Sequence, residues 1–274
     1  MFRTRFGGSH RSGQRRRQRW RPEQAGSEGI AGNAPSGWSP YCGRAPDPGE
    51  WLTHWNLDPL LIATLGALAG WWWLRRDRID DRGFVPLAFG MIILLFVSPF
   101  CALGSALFSA RAVHHVVLAA LLAPALALIL VRNGRAPTVT LPMAVALHAS
   151  TFWAWHVPSL YSAALSNDAI FWLMQVTITG TAVLLWLGVF RAPASAAVAA
   201  LLATMVQMGA LGALLTFAQR PLYAPHWSTT AAWGLAPLED QQLAGLVMWA
   251  PGSLLYLLAA VTILYRSLQP SRAA

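Results

Sequence analysis

Seven apolar stretches follow one another after residue 56, separated by polar connections of which only the last, 218–242, is long. They cover 57–74, 84–103, 112–131, 141–160, 169–190, 196–217 and 243–265, each near the roughly 20 residues that a helix needs to cross a bilayer. The first is the shortest. It carries Asp58 at its mouth and ends in Trp71, Trp72 and Trp73, residues favoured at a membrane interface. The pattern predicts an all-α polytopic membrane protein, a seven-transmembrane helix bundle over 57–268. Two irregular pieces precede it. Residues 1–39 are rich in Arg, Gly and Ser without an apolar period, so disorder is expected. No apolar core follows the Arg cluster, so this is not a signal peptide. It is either a basic tail or the product of an over-called start codon. Residues 40–56 form a short turn-rich outer segment with Tyr41-Cys42-Gly43 and His54.

Composition agrees. The 274 residues are 55% hydrophobic and 11% charged, with a mean hydropathy of +0.45, against about 25% charged in soluble domains. The lipid bilayer is therefore the first partner. The net charge of +9 raises the question of nucleic acid, but nearly half of the arginines precede Trp51 and most others sit in short connections. That placement sets topology, and no nucleic-acid partner is expected. Arg75, Arg76, Arg78 and Arg82 follow the first span, Arg132 and Arg135 the third, Arg191 the fifth, and Arg266 and Arg272 the seventh. The alternate connections hold only Arg111 and Arg220, with Arg44 before the first span. The positive-inside rule puts the amino terminus outside and the carboxyl terminus in the cytoplasm.

This orientation gathers the chemically able residues beneath the outer surface. His114 and His115 open the third span, and His156 lies about one turn from the outer end of the fourth. Met174 and Gln175 begin the fifth, Cys101 ends the second, and Met248 is five residues into the seventh. At about 1.5 Å per residue they lie roughly 5–8 Å deep. Adjacent His114 and His115 point about 100° apart on a helix, so only one faces the bundle centre. Thioether, thiolate and imidazole form a soft donor set that selects copper(I). The expected site has His115, His156 and Met248 as its core, with Cys101 or Met174 adding a ligand. His114, Gln175 and Trp155 lie beside it. Asp240 either orients a ligand or caps the seventh span at its positive end. His54 and His226 are read as interfacial groups bonded to loops, His148 as a functional group or a bridge between helices, and Met205 and Met208 as packing. Pro124, Pro158 and Pro251 are expected kinks.

No nucleophile elbow, phosphate loop or dinucleotide fingerprint is present, so an enzyme is not expected. Two further readings stand beside copper handling. One is a b-type haem protein with His115 and His156 as axial ligands. The other is a copper transporter, although donors do not continue toward the cytoplasmic side.

Several segments match a known pattern: Tyr41-Cys42-Gly43, Trp55-Asn56-Leu57-Asp58-Pro59, and Phe108-Ser109-Ala110 leading to His115. Others are Trp153-Ala154-Trp155-His156-Val157-Pro158-Ser159-Leu160-Tyr161, Leu215-Thr216-Phe217-Ala218 with Pro221-Leu222-Tyr223, and the run from Asp240 through Gly252. On these, the chain from about Tyr41 to Tyr265 resembles the CtaG family of seven-span cytochrome c oxidase assembly factors, associated with caa-type oxidases. The resemblance implies residence in a bacterial plasma (inner) membrane and cytochrome c oxidase subunits as partners. It also implies a role in maturing a haem–copper oxidase, with copper supply at the periplasmic face. Many relatives carry His-x-x-x-His at the start of span three, where this chain has Arg111 and His115, and histidines around Phe171 and Gln175, where it has none. A disulfide between Cys42 and Cys101 is open to the chain if the outer segment folds over span two.

Overall fold

The computed structural model describes residues 40–79 and 83–269. The Arg-rich leader with its expected disorder, Arg82 and Arg272 lie outside the described residues. Among the described residues nine α-helical segments account for the apolar stretches: α1 (Pro59–Arg75), α2 (Phe84–Val97), α3 (Pro99–Ala106), α4 (Phe108–Arg132), α5 (Leu141–Trp155), α6 (Pro158–Ser166), α7 (Asp168–Arg191), α8 (Ala194–Thr216) and α9 (Pro237–Leu268). Among the described residues there is no strand.

Four of these helices, α4, α7, α8 and α9, are long and apolar enough to cross a membrane. A fifth crossing is available if α2 and α3, bent by 46° at their break, act as one. Of the other two predicted spans, α1 has 17 residues, and the fourth stretch is split into α5, with 15 residues, and α6.

Local chemistry explains the breaks. Pro99 and Pro158 lack a backbone N–H and restrict the residue before them to extended geometry. Ser98 and Val157 adopt that geometry. The Ser98 hydroxyl bridges the first break, donating to the Leu94 carbonyl and accepting from the Phe100 N–H at 3.2 Å. Two further prolines sit at wide π-type turns. Pro124 follows Leu118–Leu122 and Pro251 lies within Met248–Gly252, where a missing N–H loosens the ladder. The first of these turns leaves the Ala119 carbonyl open to the Trp186 indole N–H at 2.9 Å.

α4 is the central element, packed against α2, α7 and α9, while α8 joins α9 to α5 and α7. The closest crossing is between α8 and α9, where Gly212 meets Gly245. α1 is peripheral, with Leu61 its only buried side chain. Large apolar side chains remain exposed on its outward face and on those of α7, α8 and α9, as a lipid environment requires.

The two ends of the bundle differ. At one end Arg191 donates to the carbonyls of Ala136 and Pro137, and Arg135 lines a cavity with Trp71 and Trp72. At the other, the segment before α1 is fastened across the helix ends. Cys42 is disulfide-bonded to Cys101. The Asn56 amide donates to the Phe96 carbonyl at 3.0 Å, and its backbone N–H donates to Val97. Tyr41 stacks on Phe171 with ring centroids 5.0 Å apart. The long connection before α9 joins the same end, Trp233 donating to the Pro46 carbonyl.

Candidate functional site

The disulfide-bearing end is also where the histidines meet. α3 stops at Leu107, whose extended backbone turns the chain, and α4 starts at Phe108. The exposed N–H groups of this new helix start find a carboxylate from far along the chain. Asp240 accepts from the Phe108 N–H at 2.7 Å, the Ser109 N–H at 3.1 Å and the Ser109 hydroxyl. A carboxylate at a helix N-terminus satisfies orphan donors and opposes the positive end of the dipole. Asp240 was expected to orient a ligand or to cap the seventh span. It caps the third instead, from the first turn of α9. The start of α9 is closed by Glu239, which accepts from the Ala236 N–H at 2.7 Å.

One turn into α4, Arg111, His114 and His115 are all buried. The two imidazoles diverge as their 100° separation requires. His114 lies against Phe96 and Phe100, with ring centroids 5.0 and 6.2 Å away. His115 faces His156, centroids 5.6 Å apart and planes nearly perpendicular. His156 occupies the break between α5 and α6 and stacks on Phe152 at 4.7 Å. Its Nδ1 lies 2.6 Å from the Phe152 carbonyl oxygen. A carbonyl only accepts, so Nδ1 carries the proton and Nε2 keeps a lone pair. Nε2 has no hydrogen-bond partner, and neither has either nitrogen of His115. The Tyr223 hydroxyl holds the His156 backbone in place, donating to its carbonyl at 2.8 Å. His156 also lines a groove of about 810 Å³ running between Trp153, Pro158, Leu214, Phe217 and Arg220.

The other candidates divide. Met248 and Met174 are fully buried. Gln175 is buried with both amide atoms unpartnered. Trp155 directs its indole N–H away from the imidazoles, onto the Thr177 hydroxyl at 2.9 Å. Cys101 is withdrawn from the ligand set, because its sulfur is bonded to Cys42 and no thiolate is left to bind a metal. Among the described residues no group of three His, Cys, Asp or Glu side chains gathers as a metal cage. The donors that the fold brings together are the two imidazoles. Rings with centroids 5–6 Å apart can share an ion at the usual metal–nitrogen distance of about 2.0–2.1 Å.

The other histidines among the described residues are each held by a polar neighbour. His226 donates from Nδ1 to the Ala106 carbonyl at 3.3 Å and accepts the Tyr161 hydroxyl at Nε2, 2.7 Å away. Burial pushes its pKa down to about 3, so it stays neutral in this role. His148 bridges α5 to Thr181 of α7 at 3.3 Å. His54 pairs with Glu50 at 3.5 Å. Met208 is packing, its sulfur against Gly252.

Two features escaped sequence reasoning. The pairing of Asp240 with the α4 start joins residues more than 130 positions apart, although a Ser at the second helical position was a local hint. The unpartnered state of Arg111, whose three guanidinium nitrogens have no hydrogen-bond partner, had no signal beyond its place beside an apolar span.

No curated protein and no solved structure matches the chain. A sequence model of the family described as cytochrome c oxidase caa3 assembly factor matches residues 67–269. The match takes in α4 to α9, and with them both imidazoles and Asp240. The Tyr41-Cys42-Gly43 segment and the approach to α1 precede it. The chain belongs to the CtaG family of cytochrome c oxidase caa3 assembly factors.

Proposed function

We propose that this assembly factor handles copper(I) for a haem–copper oxidase at the periplasmic face of a bacterial inner membrane, as a seven-span bundle with its amino terminus outside. His115 and His156 are the donors, and Met248 or Met174 supplies a thioether. The single observation that carries the reading is the hydrogen bond from His156 Nδ1 to the Phe152 carbonyl. It fixes the tautomer and leaves the Nε2 lone pair unpartnered in front of His115. Metal-binding histidines are commonly oriented through the other ring nitrogen in this way.

Two further observations support the setting. Disulfides persist in oxidising compartments, so the Cys42–Cys101 bond supports an extracytoplasmic setting for that end. The arginines at the opposite end fit the positive-inside rule. Phe152 lies against both imidazoles, centroids 4.7 and 6.4 Å away, which favours a small ion over a haem macrocycle. Two imidazoles and a thioether make a weak, exchangeable site suited to handing copper on. In this role copper is cargo and the protein turns nothing over. The groove beside His156 is the path by which an oxidase subunit reaches it.

The test is anaerobic competition for copper(I) between the purified protein and a colorimetric chelator. The wild type should take up a single ion. His156→Ala and His115→Ala should each weaken uptake by at least tenfold, equivalent to about 1.4 kcal/mol. In cells lacking the gene, the isolated oxidase should hold less copper, and added copper should restore activity. A wild-type protein that leaves all copper with the chelator removes the copper reading and keeps the family role.

A further inference from the structure

Arg111 is fully buried, none of its Nε, Nη1 and Nη2 makes a well-formed hydrogen bond, and the polar group beside it is the neutral Tyr161 hydroxyl, already bonded to His226, which leaves the charge uncompensated. No carboxylate among the described residues lies within 4.0 Å of it. Asp240 is already occupied by three donors at the α4 start. A guanidinium cannot shed its proton to escape this environment. Desolvating an unpaired charge in a bundle interior is among the most unfavourable arrangements a fold can hold. The face of Phe171, 5.3 Å from Cζ, offsets only a small part of that cost.

The surroundings are built for the group. Gly104 has no Cβ, and one added there would stand 2.9 Å from Cζ and Nη2, so the guanidinium lies flat on the α3 backbone. Beside it is a set of further unsatisfied groups. Ser105, the residue after Gly104, has an unpartnered hydroxyl. His114, one turn along α4, faces the Gln175 amide, and neither ring nitrogen makes a well-formed hydrogen bond. Gln175 follows Phe171 by one turn of α7, and both its amide atoms lack partners. Water would satisfy these hydrogen bonds but not the charge. A cation would be repelled. A planar oxyanion accepts from the guanidinium fork through two oxygens at once and neutralises it.

We infer that Arg111, with Gln175, His114 and Ser105, forms an anion site beside the histidine pair, and that its ligand is a small carboxylate. The carboxylate comes either from a free ion or from an acidic group that the oxidase partner inserts. The free-ion form is independent of the copper reading; the partner form rests on the assembly role.

The test uses the full chain purified in detergent, with thermal unfolding followed in rising sodium formate. Sodium gluconate at equal ionic strength is the control, because its anion is too large for a buried pocket. Formate should raise Tm by several degrees and saturate, as a ligand that binds only the folded state does. Arg111→Met should abolish the shift while unfolding no earlier than the wild type in gluconate, since replacing an unpaired buried charge by an apolar group of similar length is neutral or stabilising. Gln175→Leu keeps the charge and removes one donor, and should move the formate midpoint up by about tenfold. This outcome assigns a free carboxylate. If formate does nothing but a folded Arg111→Met protein no longer co-purifies with oxidase subunits, the carboxylate is the partner's. If wild type responds alike to formate and gluconate and Arg111→Met co-purifies as wild type does, the inference is overturned and water alone fills the site.

Discussion

At the scale of single residues, the same side-chain types serve opposite purposes according to what their second polar atom finds. His156 and His226 each give one ring nitrogen to a backbone carbonyl. His226 then meets the Tyr161 hydroxyl and is complete, while His156 is left with an unpartnered Nε2. Sequence placed His115 and His156 at one depth, and they do face each other. It also read His226 as a hydrogen-bonded group rather than a ligand, in keeping with its bonds to Ala106 and Tyr161, but it could not name those partners, because they lie tens of residues away. Cys101 was misassigned for the same reason, its bond to Cys42 spanning 59 positions. Asp240 gives the sharpest prediction here. Among the described residues it supplies the only side-chain acceptor for the first N–H groups of α4, through three hydrogen bonds, two of them from backbone. Asp240→Ala should cost about 2–3 kcal/mol, the range of a buried charged cap. Asp240→Asn should cost less, because one oxygen still accepts. Urea or thermal unfolding in detergent measures both. Equal stability of wild type and alanine variant would remove the capping role.

At the scale of elements, all seven apolar stretches became helix where hydropathy put them, because burial from water and intrahelical hydrogen bonding act on the stretch itself. Their internal breaks were only partly legible. Prolines mark the positions, and Pro124, Pro158 and Pro251 were read as kinks. Whether a proline yields a wide turn or a full stop depends on the neighbour that takes up the freed carbonyl, as Trp186 does for Ala119. The only mark that sequence carries of the Gly212–Gly245 crossing on α8 is the small-residue pair Gly209 and Gly212. A Cβ on Gly212 would stand 2.7 Å from the Gly245 carbonyl oxygen and 2.9 Å from the Trp249 nitrogen, both backbone atoms that have nowhere to go. Gly212→Ala should therefore push α8 and α9 apart and cost about 2–3 kcal/mol, the upper part of the range for overpacking. Because α9 carries both Met248 and Asp240, copper(I) uptake should fall with it. Gly180→Ala on α7, where nothing lies within 4 Å, should stay within about 1 kcal/mol of wild type. Paired unfolding curves decide the matter, and equal losses at the two positions would mean that the crossing is not tight.

At the scale of the whole molecule, the property that matters is the difference between the two ends. One end has the disulfide, the histidine pair and the capped start of α4; the other has Arg191 bonded to two loop carbonyls. Two independent arguments orient this polarity. The charge rule reads the arginine end as cytoplasmic. The disulfide argument reads the other end as extracytoplasmic, since cytosolic thiols are kept reduced. They rest on different residues and different chemistry, so their agreement can be tested in one system. Alkaline phosphatase, which folds only outside the cytoplasm, should be active when fused within the connection between α8 and α9. It should be inactive when fused between α4 and α5 or after α9. In the same cells Cys42 and Cys101 should resist a membrane-impermeant maleimide until a reductant is added. Cys42→Ser should then lower stability by about 4 kcal/mol, the chain-entropy value for a loop of this length. The reverse phosphatase pattern would put the disulfide in a reducing compartment, where its bond would not persist. It would also leave the imidazole pair facing the wrong side for an outward-facing copper centre. Both outcomes are read from the same fusions, so the orientation and the copper setting stand or fall together.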